Sequence, residues 1–145
     1  MGISRHANAH WEGDLKSGQG RLSTPESGLM QDTPYGFATR FGDRKGVNPE
    51  ELIAAAHAGC FTMAFANKLA EAGHAAEAIN TRAEVDLSTE GGPSLSAIRL
   101  KATARVPGID PAKFRAIADD VGRHCPVSRA LSAVPITVEA ELADG

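Results

Sequence analysis

A chain of 145 residues, 42% hydrophobic and 23% charged, has the size and composition of one soluble globular domain, spanning 1–145, with room for a real core. Its net charge is −3, it has no basic runs, and five Phe, one Tyr and one Trp make a poor base-stacking surface. These features exclude a nucleic-acid partner and attraction to an anionic membrane.

The opening Met-Gly-Ile-Ser-Arg-His-Ala-Asn has no apolar core, so no secretory signal is expected there. The apolar stretch around Cys60 is bounded by Asn48, Glu50 and Glu51 on one side and by Asn67, Lys68 and Glu71 on the other. It is too short to cross a bilayer. A cytoplasmic location with no membrane partner is the expectation. In a reducing compartment two cysteines are a poor structural staple, which shifts weight to redox or metal chemistry.

In chain order, Ala9-His10-Trp11-Glu12 and Gly20-Arg21-Leu22-Ser23 flank a polar turn containing Gly18, the pattern of a hairpin. Pro34-Tyr35-Gly36 leads into Phe37–Phe41, where alternation predicts a third strand with Phe37, Thr39 and Phe41 on one face and Arg40 on the other. A long helix should then start at the Asn48 cap, with Pro49 in its first position and Glu50 and Glu51 at the positive end of its dipole. It should run to about Ala72 and stop at Gly73. Its middle is apolar all round, which predicts burial on every side, under sheet or under a second copy of the chain.

Ala78–Ser88 and Leu95–Val106 read as an antiparallel pair joined at Gly91-Gly92-Pro93. Asp110-Pro111 opens a helix to about Arg123, with Phe114, Ile117, Ala118 and Val121 inward. Cys125-Pro126 opens a short helix to about Leu131, and Ile136–Leu142 is a last strand. The order β-β-β-α-β-β-α-α-β predicts an α+β fold with antiparallel sheet.

Only two thiols are present, and each has a bland reading beside a chemical one. Cys60 is either a small hydrophobe in a buried helix or a reactive thiol, which requires access and positive potential. Cys125, as the cap of a proline-started helix and next to Arg123 and His124, stands where free amides and the helix dipole favour a thiolate. Arg40 and Glu50 are either solvated charges or a guanidinium locked by a carboxylate, able to offset charge at a thiolate and at a substrate oxygen. On one straight helix, residues 50 and 60 are about 15 Å apart. If both act in catalysis, Glu50 most simply meets the thiol of a partner subunit. His57, one turn before Cys60, and His124, beside Cys125, allow a Cys/His metal site, although adjacent His and Cys are poor zinc spacing.

The runs Pro34–Phe41 and Asn48–Phe61, with Cys125-Pro126-Val127-Ser128 and Ala9–Asp14, closely resemble the OsmC (osmotically inducible) family. That family shares a superfamily with the organic hydroperoxide resistance proteins. The similarity spans nearly the whole chain. It implies antiparallel sheets wrapped around two long central helices in an intertwined homodimer with shared active sites. It also implies a thiol peroxidase that acts on organic hydroperoxides, and on hydrogen peroxide less well, in oxidative and osmotic stress defence. By resemblance Cys60 is the peroxidatic thiol and Cys125 the resolving one; Arg40 activates the thiolate and Glu50 orients Arg40. No metal or organic cofactor is expected. The implied reductant is an external dithiol, dihydrolipoamide or a lipoylated protein. The rival readings are a non-catalytic dimeric stress protein and a Cys/His metal-binding protein.

Overall fold

The computed structural model describes residues 2–143. The chain forms two compact units, Met1–Leu52 and Ile53–Gly145.

The first unit is an antiparallel meander of β1 (Asn8–Glu12), β2 (Gln19–Ser23) and β3 (Thr33–Tyr35), in that order. The register pairs Trp11 with Gly20 and Gly20 with Tyr35, so the Trp11 and Tyr35 rings meet edge to face over the glycine, 5.7 Å between centroids. The expected hairpin is therefore present. The expected strand over 37–41 is not: Phe37–Arg40 is a short helix, α1. Thr39 Oγ1 lies 3.0 Å from both the amide nitrogen and the carbonyl oxygen of Gly36, closing the turn locally. Phe37 and Phe41, one turn apart, bring their rings to 5.0 Å. These side-chain-to-backbone bonds outweigh an alternating apolar pattern only five residues long.

Helix α2 (Pro49–Glu71) begins as its cap predicts, with the Glu51 amide donating to Asn48 Oδ1 at 2.8 Å. It is followed by Gly73 in the left-handed region at φ 88°. From Ile53 onward it belongs to the second unit, with β4 (Ala78–Ser88), β5 (Ser94–Arg105), α3 (Pro111–His124), α4 (Pro126–Ala130) and β6 (Ile136–Leu142). Asp110 caps α3 by accepting the Lys113 amide at 3.2 Å.

Strands β4 and β5 pair antiparallel, as expected, but β6 lies parallel to β5, with Ile98 opposite Ile136 and Ala104 opposite Leu142. The sheet is mixed rather than antiparallel. The segment between β5 and β6 holds two helices, and a crossover of that length lets a strand return in the same direction. Helix α3 packs on β6. The contact is close enough that a Cβ on the buried Gly122 would stand 2.2 Å from Val138 Cγ2.

The core joins Phe61, Phe65 and Leu69 of α2 to Ile98, Leu100, Ala102 and Ala104 of β5 and to Phe114, Ala118 and Val121 of α3. Thr62 Oγ1, hydrogen-bonded to Ala58 O at 2.6 Å and Thr81 Oγ1 at 2.7 Å, ties α2 to β4. Burial of α2 is one-sided in the single chain. His57, Phe61, Phe65 and Leu69 are buried, whereas Ala55, Ala56 and Gly59 are exposed and Met63 is 77% exposed. The all-round burial expected from composition is not reached within one chain, because one three-stranded sheet and α3 supply apolar partners for a single face.

Candidate active site

Two pairs of side chains predicted from sequence come together, each within its own unit. In the first unit, Arg40 closes α1 and Glu50 lies in the first turn of α2. The guanidinium donates through Nε to both carboxylate oxygens, at 2.7 Å to Oε1 and 3.4 Å to Oε2. Glu50 is 8% exposed, and the charge it carries is compensated by this contact. Arg40 Cζ also lies 5.3 Å from the centre of the Phe41 ring, which holds the guanidinium plane from a second direction. Because the carboxylate grips Nε, the terminal nitrogens are not consumed by Glu50.

In the second unit, Cys60 projects half-buried from the middle of α2, and Cys125 is buried at the cap position of α4. Both are free thiols. They are near neighbours, since the charge and hydrogen bonding of Cys125 reach Cys60. Burial pushes the Cys60 thiol above its ordinary value; a hydrogen bond from the Val127 amide pulls it down, and the charge and hydrogen bonding of Cys125 push it up again.

Cys125 takes the cap position of α4 that the sequence predicts. Its side chain takes no capping hydrogen bond from the α4 amides.

The two histidines do not complete a metal site. His124 Nδ1 is bound to Asp120, 2.9 Å from its backbone oxygen and 3.1 Å from Oδ1, while His57 Nε2 is 2.7 Å from Ser128 Oγ. Among the described residues no three His, Cys, Asp or Glu side chains gather where they could hold a metal ion. Sequence reasoning did not single out Ser128. Its signal is a Cys-x-x-Ser spacing at a helix start, which puts the hydroxyl one turn from the thiol.

A model of the OsmC-like protein family matches residues 42–140. The peroxiredoxin OsmC of Escherichia coli (strain K12) is 48% identical over 143 residues, covering 98% of this chain and 99% of the relative. This chain belongs to the OsmC-like family. The peroxiredoxin OsmC of Shigella flexneri matches to the same extent. Kinship at this level and coverage makes the chain a cysteine-based peroxidase. Among solved structures, the organic hydroperoxide resistance protein OhrB of Bacillus subtilis superposes with a TM-score of 0.66 at 21% identity, covering 95% of this chain and 98% of its own. An OsmC-like protein of Mycoplasma pneumoniae gives 0.70 at 20% identity, covering 99% and 100%. At these identities the two structures establish the shared α+β fold.

Proposed function

We propose that this member of the OsmC-like family reduces organic hydroperoxides, and hydrogen peroxide less well, through a Cys60 sulfenic acid and a Cys60–Cys125 disulfide. The observation that carries the reading is the meeting of the only two thiols in the sequence, both free, one from the middle of α2 and one from the cap of α4. Cys60 thiolate attacks the terminal peroxide oxygen; the O–O bond breaks, the leaving alkoxide takes a proton from solvent and departs as the alcohol, and Cys60 carries the hydroxyl as a sulfenic acid. Cys125 displaces that hydroxyl as water. An external dithiol, dihydrolipoamide or a lipoylated protein, reopens the disulfide by two thiol exchanges.

Burial acts against this chemistry by holding Cys60 protonated. A nearby cation is therefore needed, and Arg40 with Glu50 is the assigned source. An ordinary thiol is already a few per cent ionised near neutrality, so full ionisation supplies only about thirtyfold. The rest of the acceleration falls to alignment of the peroxide and to the guanidinium at its developing charge. Glu50 lies ten positions from Cys60 on α2, about 15 Å along a straight helix, so the Arg40–Glu50 pair is assigned to the thiol of a partner subunit.

The exposed Ala55, Ala56, Gly59 and Met63 face of α2 supports a second copy as that partner: small residues admit a close helix, and Met63 is otherwise left in water. The chain is thus read as a homodimer with shared active sites, using no metal or organic cofactor, acting in the cytoplasm in oxidative and osmotic stress defence. No helix of the described residues is long and apolar enough to cross a membrane.

Intact mass and free thiols, measured before and after one equivalent of cumene hydroperoxide, test the reading. Wild type should lose both thiols, Cys125→Ser should stop at or pass beyond the sulfenic acid, and Cys60→Ser should be inert. Unreactive thiols in wild type would defeat it.

A further inference from the structure

Three polar or charged side chains are buried among the described residues: Glu50, His57 and Ser128. Glu50 has Arg40 as its partner, and the other two have each other. Helix α2 carries His57 one turn before Cys60, and α4 carries Ser128 one turn after Cys125. The same two helices that bring the sulfurs together therefore also join an imidazole to a hydroxyl. His57 Nε2 lies 2.7 Å from Ser128 Oγ, and Ser128 Oγ lies 3.1 Å from Cys125 Sγ. The three groups form a continuous chain, Cys125 to Ser128 to His57.

The direction of that chain follows from its far end. His57 Nδ1 is buried and has no hydrogen-bond partner among the described residues. A buried lone pair without a partner is tolerated better than a buried N–H without one, so the imidazole proton belongs on Nε2. Burial also pushes His57 down in pKa, which keeps the ring neutral and leaves Nδ1 bare. Nε2–H then donates to Ser128 Oγ, and the one proton of the hydroxyl is directed at Cys125 Sγ.

We infer that Ser128 is a further catalytic residue of the peroxidase, holding Cys125 Sγ by a donated hydrogen bond in the orientation that meets Cys60, with His57 as the buried positioning residue behind it. The inference rests on the reading of Cys125 as the resolving thiol. The step served is closure of the disulfide. A sulfur lone pair of Cys125 attacks Cys60 sulfur, the S–O bond of the sulfenic acid breaks as the S–S bond forms, and the Cys125 proton leaves with the hydroxyl as water. No further oxidant is consumed, because the peroxide has already oxidised Cys60. A buried thiol free to rotate spends part of its time turned away from this trajectory; Ser128 removes that freedom.

The test is a rapid-quench single turnover of the full chain with one equivalent of cumene hydroperoxide, with dimedone present to trap sulfenic acid and intact mass as the readout. Wild type should proceed to the disulfide with little adduct. In Ser128→Ala, closure should slow by about tenfold, the worth of one net hydrogen bond, and a dimedone adduct on Cys60 should accumulate in its place. His57→Phe should slow closure with Ser128 still present, and His57→Gln, whose amide N–H can replace Nε2–H, should recover part of the rate. Oxidation of Cys60, read in the same reaction, separates a closure defect from general damage to the fold. Closure at the wild-type rate in Ser128→Ala overturns the inference, as does a slowing of Cys60 oxidation equal to that of closure. A wild-type chain that yields neither adduct nor disulfide overturns the two-cysteine reading itself, and that result appears before any variant is compared.

Discussion

Replacing Glu50 with glutamine keeps the size of the side chain and one acceptor for Arg40 while removing the charge. The hydrogen bond that this weakens is short, 2.7 Å from Nε to Oε1, the length of a charge-assisted bond, and its acceptor is a carboxylate that is 8% exposed. A hydrogen bond to a charged group is worth about 1.5–3 kcal/mol. The Arg40 side chain is 36% exposed, so water compensates in part and the lower half of that range applies. If the carboxylate fixes the guanidinium for peroxide reduction, about 1.5–2 kcal/mol becomes a fall of roughly 10- to 30-fold in the rate of Cys60 oxidation. Stopped-flow single turnover with cumene hydroperoxide gives this rate constant directly. Arg40→Lys, whose single ammonium cannot hold Glu50 through Nε and still offer planar terminal nitrogens elsewhere, should slow the reaction at least as much. The double variant should be no slower than the worse single one, since the two residues act as a unit. A Glu50→Gln rate within about twofold of wild type, or effects that simply add in the double variant, would refute the assignment of Glu50 as the group that orients Arg40.

Met63→Glu puts a charge in the middle of the exposed apolar face of α2; light scattering should report a monomer, and peroxidase activity should fall with it because the proposed site is shared between copies. Gly122→Ala forces a methyl to 2.2 Å from Val138 Cγ2, so α3 must move off β6. Overpacking of this kind costs about 1–3 kcal/mol and should lower the urea midpoint without changing its slope. His57 has its pKa lowered from 6.5 by burial, so the unfolded chain binds the extra proton first and stability should drain away as pH falls below 6.5. Asp14 and Asp86, lowered from 3.8, add their own destabilisation only at more acid pH, so a thermal-melt series across pH 7 to 4.5 isolates the histidine, and His57→Gln should flatten it.

Much of the architecture is legible in the sequence because its signals act within a few residues. Asn48-Pro49 and Asp110-Pro111 each supply a side-chain acceptor and a preset backbone angle at a helix start, and the Asn48 and Asp110 hydrogen bonds form as expected. Gly73, in the left-handed region, marks the end of α2 for an equally local reason. The Phe37–Phe41 run fails as a strand because five alternating residues carry little information against a threonine able to bond the backbone three residues back. The long motifs around Cys60 and Cys125 make the family legible as well, since ordered runs of that length are carried by kinship and not by composition.

Sequence alone is enough to say where most of the elements start and stop, which residue types are available for chemistry, and which family the chain joins. The packed molecule is needed to show that β6 returns parallel to β5, that a single chain covers one face of α2, and that Cys125 caps α4 without taking a hydrogen bond from its amides. Packing also joins His57 to Ser128, 71 positions away. The reason is physical: capping and turn formation depend on neighbours along the chain, whereas pairing direction, burial and the meeting of side chains on different helices depend on which surfaces gain most by leaving water together.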